Sequence, residues 1–460
     1  MIQWLGRKMA RWFDSRLGLA TFFRKALNHV FPDHWSFMLG EIALYSFLIL
    51  VFTGIFLMMF FHDSSTQVVY HGSYRALDGV KMSDAYRSVI HLDFDVRAGN
   101  FVRQMHHWAA LIFLAAILVH ALRIFFTAAY RKPREINWII GLTLLLLALA
   151  NGYFGYSLPG DLLSGLGMRI GYSILLSLPV IGPWATFILF GSTVPSAATL
   201  PRFYSLHIFF VPAAISALLV LHLGIIWRQY HTNYPGPGRT RRTIVGSRLY
   251  PSYAIKSIGL FFLLFAFIAA LGGLVQIDPI WVYGPFDPIA SMPFAQPDWY
   301  LGWIEGAMRL LPPFNLHLGS YLVPNVFFSA MLFPLLVFGV LYCYPFIEKL
   351  ISWDNQPHNV LRPPYLQPFN TGLGCAALMF LLILFFAGGD DVIAVSTGSS
   401  VVFIRRLLRL LAITVPPLVG IAVYVLCKRA VRKRQRQVEP AQPELTKVFE
   451  KGEIVVIDKH

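Results

Sequence analysis

Four histidines fall into two pairs on two apolar runs: His106 with His120, and His207 with His222. The members of the first pair are 14 residues apart and those of the second 15. In a helix rising about 1.5 Å per residue, each pair spans roughly 21–23 Å. Fourteen residues at about 100° each return to within roughly 40° of the starting direction, and fifteen to within about 60°. Each helix therefore presents one imidazole near each surface of a bilayer about 30 Å thick, both on much the same face. Two such helices side by side offer two bis-imidazole sites stacked across a membrane. Neutral imidazole is a suitable axial ligand for haem iron. The chemistry expected is electron transfer through two non-covalent b-type haems, since the chain holds no CxxCH for covalent attachment. A single histidine in an apolar helix is ordinarily a hydrogen-bonded core residue. Four at matched spacing are hard to read that way, because polar groups inside a span are costly and functional by default. His107 lies about 140° around the helix from His120, on the wrong face, so His106 is the preferred ligand.

The elements that must hold these histidines follow from composition. The 460 residues are 56% hydrophobic and only 13% charged, against about 25% charged in soluble domains. Eight apolar runs, near 38–60, 106–128, 136–158, 203–228, 256–276, 322–346, 370–387 and 403–427, are long enough to span. Backbone inside lipid must satisfy itself, so these are helices. The expected fold is an all-α membrane protein: an N-terminal four-helix bundle holding two haems, plus a C-terminal four-helix half. The net charge of +15 does not point to nucleic acid, because the basic residues cluster at the ends of apolar runs. Arg131, Lys132 and Arg134 follow the second run, Arg239, Arg241 and Arg242 the fourth, and Lys428 to Arg436 the eighth. The positive-inside rule then puts both termini in the cytoplasm of a multi-pass cell-membrane protein. Residues 1–34 read as an amphipathic surface segment without a signal peptide. Residues 35–230 form the haem bundle, 231–255 a cytoplasmic linker, 256–428 the second half and 429–460 a cytoplasmic tail, charged and mobile after 436. Three long loops, near 61–105, 159–202 and 277–321, face outside, where loops of such length usually have a function or structure of their own. Cys343, Cys375 and Cys427 sit singly, with no metal spacing, and read as buried thiols.

Smaller signals support the haem reading. Gly40 and Gly54 on the first run, and Gly141 and Gly155 on the third, repeat the 14-residue period. Glycines at that period let flat macrocycles press against bare backbone, although small residues also serve plain helix packing. Arg103, Arg123 and Arg202 lie three to five residues from a histidine and are candidates for haem propionates. Pro212, between the histidines of the fourth run, is expected to bend that helix and absorb the extra residue.

At these residues the chain resembles cytochrome b, the haem subunit of the quinol:cytochrome c oxidoreductase family. The likeness runs from about residue 28 to 428. It includes R-x-x-H at 103–106, G-Y-S-L-P at 155–159, R-F-Y-S-L-H at 202–207 and Q-P-D-W-Y at 296–300. The last looks like the P-E-W-Y signature of the outer quinol site, with Asp298 in place of Glu. W-S-F-M-L-G-E-I-A-L-Y-S at 35–46 and H-T-x-x-P-G-P-G at 231–238 look like the actinobacterial branch.

The resemblance implies the following roles. His106 and His207 bind an outer, low-potential haem; His120 and His222 bind an inner, high-potential one. Quinol, in this branch menaquinol, is oxidised near Pro297, Asp298, Trp299 and Tyr300, with Gly167 beside it. Asp298 and Tyr300 are the catalytic candidates. Lys256, His231 and Glu41 are nominated for an inner quinone site, where Ser257 stands in the family's acid position and Trp227 in its histidine position. The implied partners are a Rieske iron–sulfur subunit and a membrane-anchored dihaem cytochrome c. A dimer of the complex is implied too, and a supercomplex with a terminal oxidase is left open. Two other classes compete. A dihaem anchor of another quinone-linked dehydrogenase would not need four further spans or Q-P-D-W-Y. A transporter should show repeated halves, which the sequence lacks.

Overall fold

The computed structural model describes residues 2–192, 196–241, 243–292, 294–319, 321–437 and 454–457. Among them, eight helices are long and apolar enough to cross a membrane. They are Trp35–Leu57, Gly99–Phe126, Glu135–Tyr156, Thr199–Gln229, Leu249–Leu274, Phe327–Ser352, Pro368–Gly388 and Val401–Gln435. All eight expected spans are present. The second begins earlier than expected, because residues 99–105, whose apolar pattern is broken by Asn100, Arg103 and Gln104, extend the helix, and the eighth continues through its basic end.

Two hydrophobic cores divide the bundle. Phe47, Phe113, Leu114, Leu145, Ala148, Val211 and Ile215 bring the first four spans together, with Tyr300 inserted among them. Ile383, Leu384, Ala387, Ile404 and Leu408 join the last two spans to the short helix Gly302–Leu310. The fifth span lies against the second through Met105, Ala109, Leu264 and Ile268.

Prolines shape the helices locally. The fourth span opens into a wide π turn at Leu206–Phe210, directly before Pro212. A proline ring crowds the carbonyl four residues back and cannot bond it. The turn widens instead and holds one extra residue, which corrects the expectation of a simple proline bend. The sixth span repeats the pattern at Phe327–Leu332 before Pro334.

The loops are built rather than extended. The end of the bundle bearing residues 296–300 is called outer here. It carries a hairpin pairing Gln67–Val69 with Lys81–Ser83, the helices Asp84–Phe94, Leu162–Leu176 and Gly182–Phe190, and a second hairpin at 316–323. At the other end, Val30–Phe31, Thr243–Arg248 and Ile454–Ile457 form one antiparallel sheet. The last helix continues to Gln437, and within the tail expected to be mobile after 436, residues 454–457 pair with the linker. Residues 438–453 and 458–460 lie outside the described residues. The N-terminal segment is two helices, Ile2–Leu17 and Leu19–Leu27, because Gly18 adopts a left-handed φ of 62°. Only Cys427 of the three cysteines is buried; Cys343 is exposed on a span surface.

Candidate haem and quinol sites

The second and fourth spans bring the histidines together as paired. The rings of His106 and His207 lie 6.1 Å apart between centroids at 73°. Zinc–imidazole bonds, a gauge for a first-row metal, are about 2 Å long, so this spacing admits one iron between them. The glycines answer the histidines one to one. A Cβ on Gly54 would meet His106 at 3.4 Å, on Gly40 His120 at 3.4 Å, and on Gly141 His222 at 3.6 Å. On Gly155 it would fall inside contact distance of the His207 ring. The glycine period thus makes room for the imidazoles themselves, a closer role than bare backbone for a macrocycle.

The outer pair has its tautomers set. His207 Nδ1 lies 3.0 Å from the Asn151 carbonyl, which can only accept, so Nδ1 carries the proton. Thr53 Oγ1 donates to the Ile49 carbonyl at 2.7 Å and therefore accepts from His106 Nδ1 at 2.8 Å. Both Nε2 lone pairs are left for a metal, the arrangement that outer-shell partners commonly impose on ligating histidines. At the inner pair, His222 meets the Asn137 backbone, while His120 Nδ1 is buried without a hydrogen-bond partner among the described residues.

The three arginines differ. Arg123 is stacked 4.2 Å over the Phe37 ring, with Nε and Nη2 buried and unpartnered. Buried donors of this kind fit an anionic propionate. Arg103 donates from Nε to buried Asp93 at 2.7 Å and keeps Nη2 unpartnered. Arg202 donates to the carbonyls of Phe187 and Ile188, both at 2.6 Å, which commits it to the outer loop.

A cavity of about 310 Å³ opens at the outer end beside His106 and His207. Its lining includes Arg103, His107, Tyr156, Asp161, Asp278, Asp298 and Tyr300. The motif enters through a tight turn at Trp299–Leu301, with Pro297 and Trp299 half-buried, that drives Tyr300 into the core. Gly152 makes this possible, since a Cβ there would lie 2.7 Å from the Tyr300 hydroxyl oxygen. Asp298 accepts from the Tyr300 hydroxyl at 3.0 Å, and its other oxygen lies 3.2 Å from His107 Nε2. Asp278 stands 3.6 Å from the same Nε2. Gly167 does not line the cavity; it backs onto Tyr156, which does. Burial raises the Asp161 carboxyl to about 6 and also raises Asp278. The sequence reading set His107 aside as off the haem face and did not single out Asp278, Gly152 or Thr53. A signal existed only for His107, which follows a ligand by one residue.

At the inner end the nominated residues share neighbours, Phe31 lying against both His231 and Tyr253, but each has its own polar partner. Glu41 accepts from the hydroxyls of Tyr253 and Ser257, with Tyr45 at 3.4 Å. Lys256, half-exposed, donates to Asp33 at 2.8 Å. His231 packs on Phe31 with Nδ1 unpartnered, and burial among His29, Arg134 and Arg123 lowers its pKa to about 3.

Comparison with known proteins gives the family and the fold. Residues 111–285 match the family model described as cytochrome b (N-terminal)/b6/petB. The chain is 46% identical over 414 residues to the cytochrome bc1 complex cytochrome b subunit of Corynebacterium diphtheriae, covering 90% of this chain and 76% of that one. It is 46% identical over 421 residues to that of Mycobacterium tuberculosis, covering 91% and 76%. Its identity to the Streptomyces coelicolor subunit is 42% over 434 residues, covering 94% and 79%. A solved chain of a hyperthermophilic respiratory Complex III shares the fold, with a TM-score of 0.65 at 19% identity over 90% of this chain and 99% of that one. The chain therefore belongs to the cytochrome b subunits of the cytochrome bc1 complex, the quinol:cytochrome c oxidoreductase.

Proposed function

We propose that this subunit oxidises quinol, specifically menaquinol, in the outer cavity and passes electrons inward through two haems b. The single observation that carries this is the cavity itself. It joins the His106–His207 pair to the Asp298, Tyr300 and His107 cluster within one lined space. When bound, the two haems supply one-electron stations across the membrane. The residues do the rest. His106 and His207 hold the outer group and His120 and His222 the inner one, with Arg123 toward a propionate. Asp298 takes a proton from the quinol hydroxyl, and Tyr300 and His107 hold that carboxylate in place. One electron leaves to a Rieske iron–sulfur partner and the other inward, toward quinone reduction at the end that bears Glu41, Lys256 and His231. A dihaem cytochrome c subunit receives the outward electron, and the working unit is a dimer of the complex. The protein sits in the cell membrane with both termini in the cytoplasm.

The test is quinol oxidation by the purified complex in Asp298→Asn and Asp298→Glu, with haem content as control. Loss of a general base costs on the order of 10²–10⁴ in rate. The Asn variant is expected to lose that much while retaining two haems per chain by pyridine haemochrome. Wild-type turnover in the Asn variant, or one haem per chain, breaks the reading.

A further inference from the structure

Asp278 is held at the outer cavity with more care than a loop residue needs. Its φ is +44°, a left-handed conformation that costs a non-glycine residue energy and persists where surroundings enforce it. The second span does the enforcing. Buried Gln104 clamps the preceding residue with two reciprocal bonds: Nε2 to the Ile277 carbonyl at 2.8 Å, and the Ile277 amide to Oε1 at 2.9 Å. Trp108 Nε1 donates to the Val275 carbonyl at 2.8 Å. Between these two anchors, the same helix offers His107 to Asp278. Three neighbouring side chains of one helix thus fix a carboxylate at the cavity wall.

The two carboxylates at His107 are not equally engaged. Asp298 has a donor on each oxygen, at 3.2 and 3.0 Å. Asp278 has only longer contacts, 3.6 Å to His107 and 3.5 Å from the Tyr283 hydroxyl. A carboxylate with fewer hydrogen bonds to its charged form is the better base. We propose that Asp278 is an alternative proton acceptor for the same quinol hydroxyl that Asp298 serves. This rests on the outer cavity being the quinol-oxidation site. The quinol O–H bond breaks and the proton forms an O–H bond on either carboxylate. The two electrons would be accepted by an iron–sulfur partner and by the haem that His106 and His207 would hold. The proton of the other hydroxyl leaves on the side of the iron–sulfur partner. The groups facing Asp278 are His107 and Arg103 from the second span, Asp298, Tyr283, Asp161, Tyr156 and Tyr300. Burial raises its pKa above the ordinary carboxylate value.

The experiment measures menaquinol-analogue oxidation by the intact complex across pH in Asp278→Asn, Asp298→Asn and the double variant, with Asp278→Glu as rescue. Haem spectra report assembly in each. Alternative acceptors predict a modest loss in Asp278→Asn alone. In the Asp298→Asn background the same change should remove at least about tenfold more of the remaining rate, with the rising limb of the pH profile. Asp278→Glu in that background should restore both. No loss on adding Asp278→Asn to Asp298→Asn overturns the proposal, whatever the wild-type background shows. If Asp298→Asn itself is slow, that result spares the cavity reading; if neither single variant nor the double is slow, the cavity reading falls with it.

Discussion

The outer histidines, His106 and His207, are each held through Nδ1, by Thr53 and by the Asn151 carbonyl. At the inner pair, His222 meets the Asn137 backbone as His207 meets that of Asn151, whereas His120 Nδ1 has no partner among the described residues and lies toward Arg123. A hydrogen bond from Nδ1–H makes an imidazole a stronger donor to iron, which favours the oxidised metal. A nearby cation favours the reduced one. The expected consequence is a lower midpoint potential at the outer pair than at the inner one. The surroundings follow the same split. The outer end gathers carboxylates, and the inner end gathers Arg123, Arg134 and a His231 whose pKa burial lowers to about 3.

Removing ligands is the largest perturbation of this contrast. His120→Ala or His222→Ala should abolish one component of the haem spectrum, and His106→Ala or His207→Ala the other, while His107→Ala spares both. Loss of a haem in His107→Ala would reverse the choice between neighbours. The glycines give a graded test. Gly155→Ala drives a methyl into the His207 ring and should lower outer-haem occupancy severalfold, whereas Gly141→Ala meets His222 at 3.6 Å, an ordinary contact, and should leave the inner haem in place. Haem content per chain in the two variants checks this. A smaller effect is expected from Thr53→Val, which keeps the shape and removes the acceptor for His106. Losing one hydrogen bond should raise the outer midpoint potential on the order of tens of millivolts. Redox titration should show the inner midpoint unmoved; equal shifts at both haems would erase the contrast drawn here.

The smallest expected effect concerns Asp161, which accepts the amides of Leu163 and Ser164 at the start of helix Leu162–Leu176. Burial raises its pKa from 3.8 to about 6. A raised carboxyl contributes stability that is full below its unfolded pKa and is lost as pH rises through the folded value. Thermal stability should therefore decline between about pH 4 and pH 6 through this group. Asp161→Asn keeps the cap and should flatten that part of the profile. An unchanged slope would mean Asp161 does not titrate in this window.

Much of this contrast was legible in the sequence, and the reasons for the rest are specific. The histidine and glycine periods survive because a span is a regular helix, so spacing converts directly into position. Q-P-D-W-Y pointed to an outer site through its likeness to the family's P-E-W-Y signature, since its residue types alone fit any turn at a membrane interface. His107 was legible as off the haem face, but nothing local says that a residue 191 positions away meets it there. Asp278 lies in an irregular segment whose conformation is dictated by Gln104 and Trp108, contacts that no periodicity encodes. Glu41 and Lys256 share an end of the bundle, yet each is answered by a different partner. The strand at 454–457 is a run of four β-branched residues that favours extended backbone, but nothing in that run names the linker as its partner.

The π turn at Leu206–Phe210 has a wider bearing. It makes chain length and ligand separation independent quantities in the fourth span. Fifteen steps of sequence there cover the angular distance of about fourteen ordinary ones. An insertion or deletion absorbed at such a turn would leave the metal-binding atoms where they were. Two family members that differ by one residue between these histidines can hold the same cofactor in the same pose. A gap at this point of an alignment then records where a helix stores slack, not a change of site.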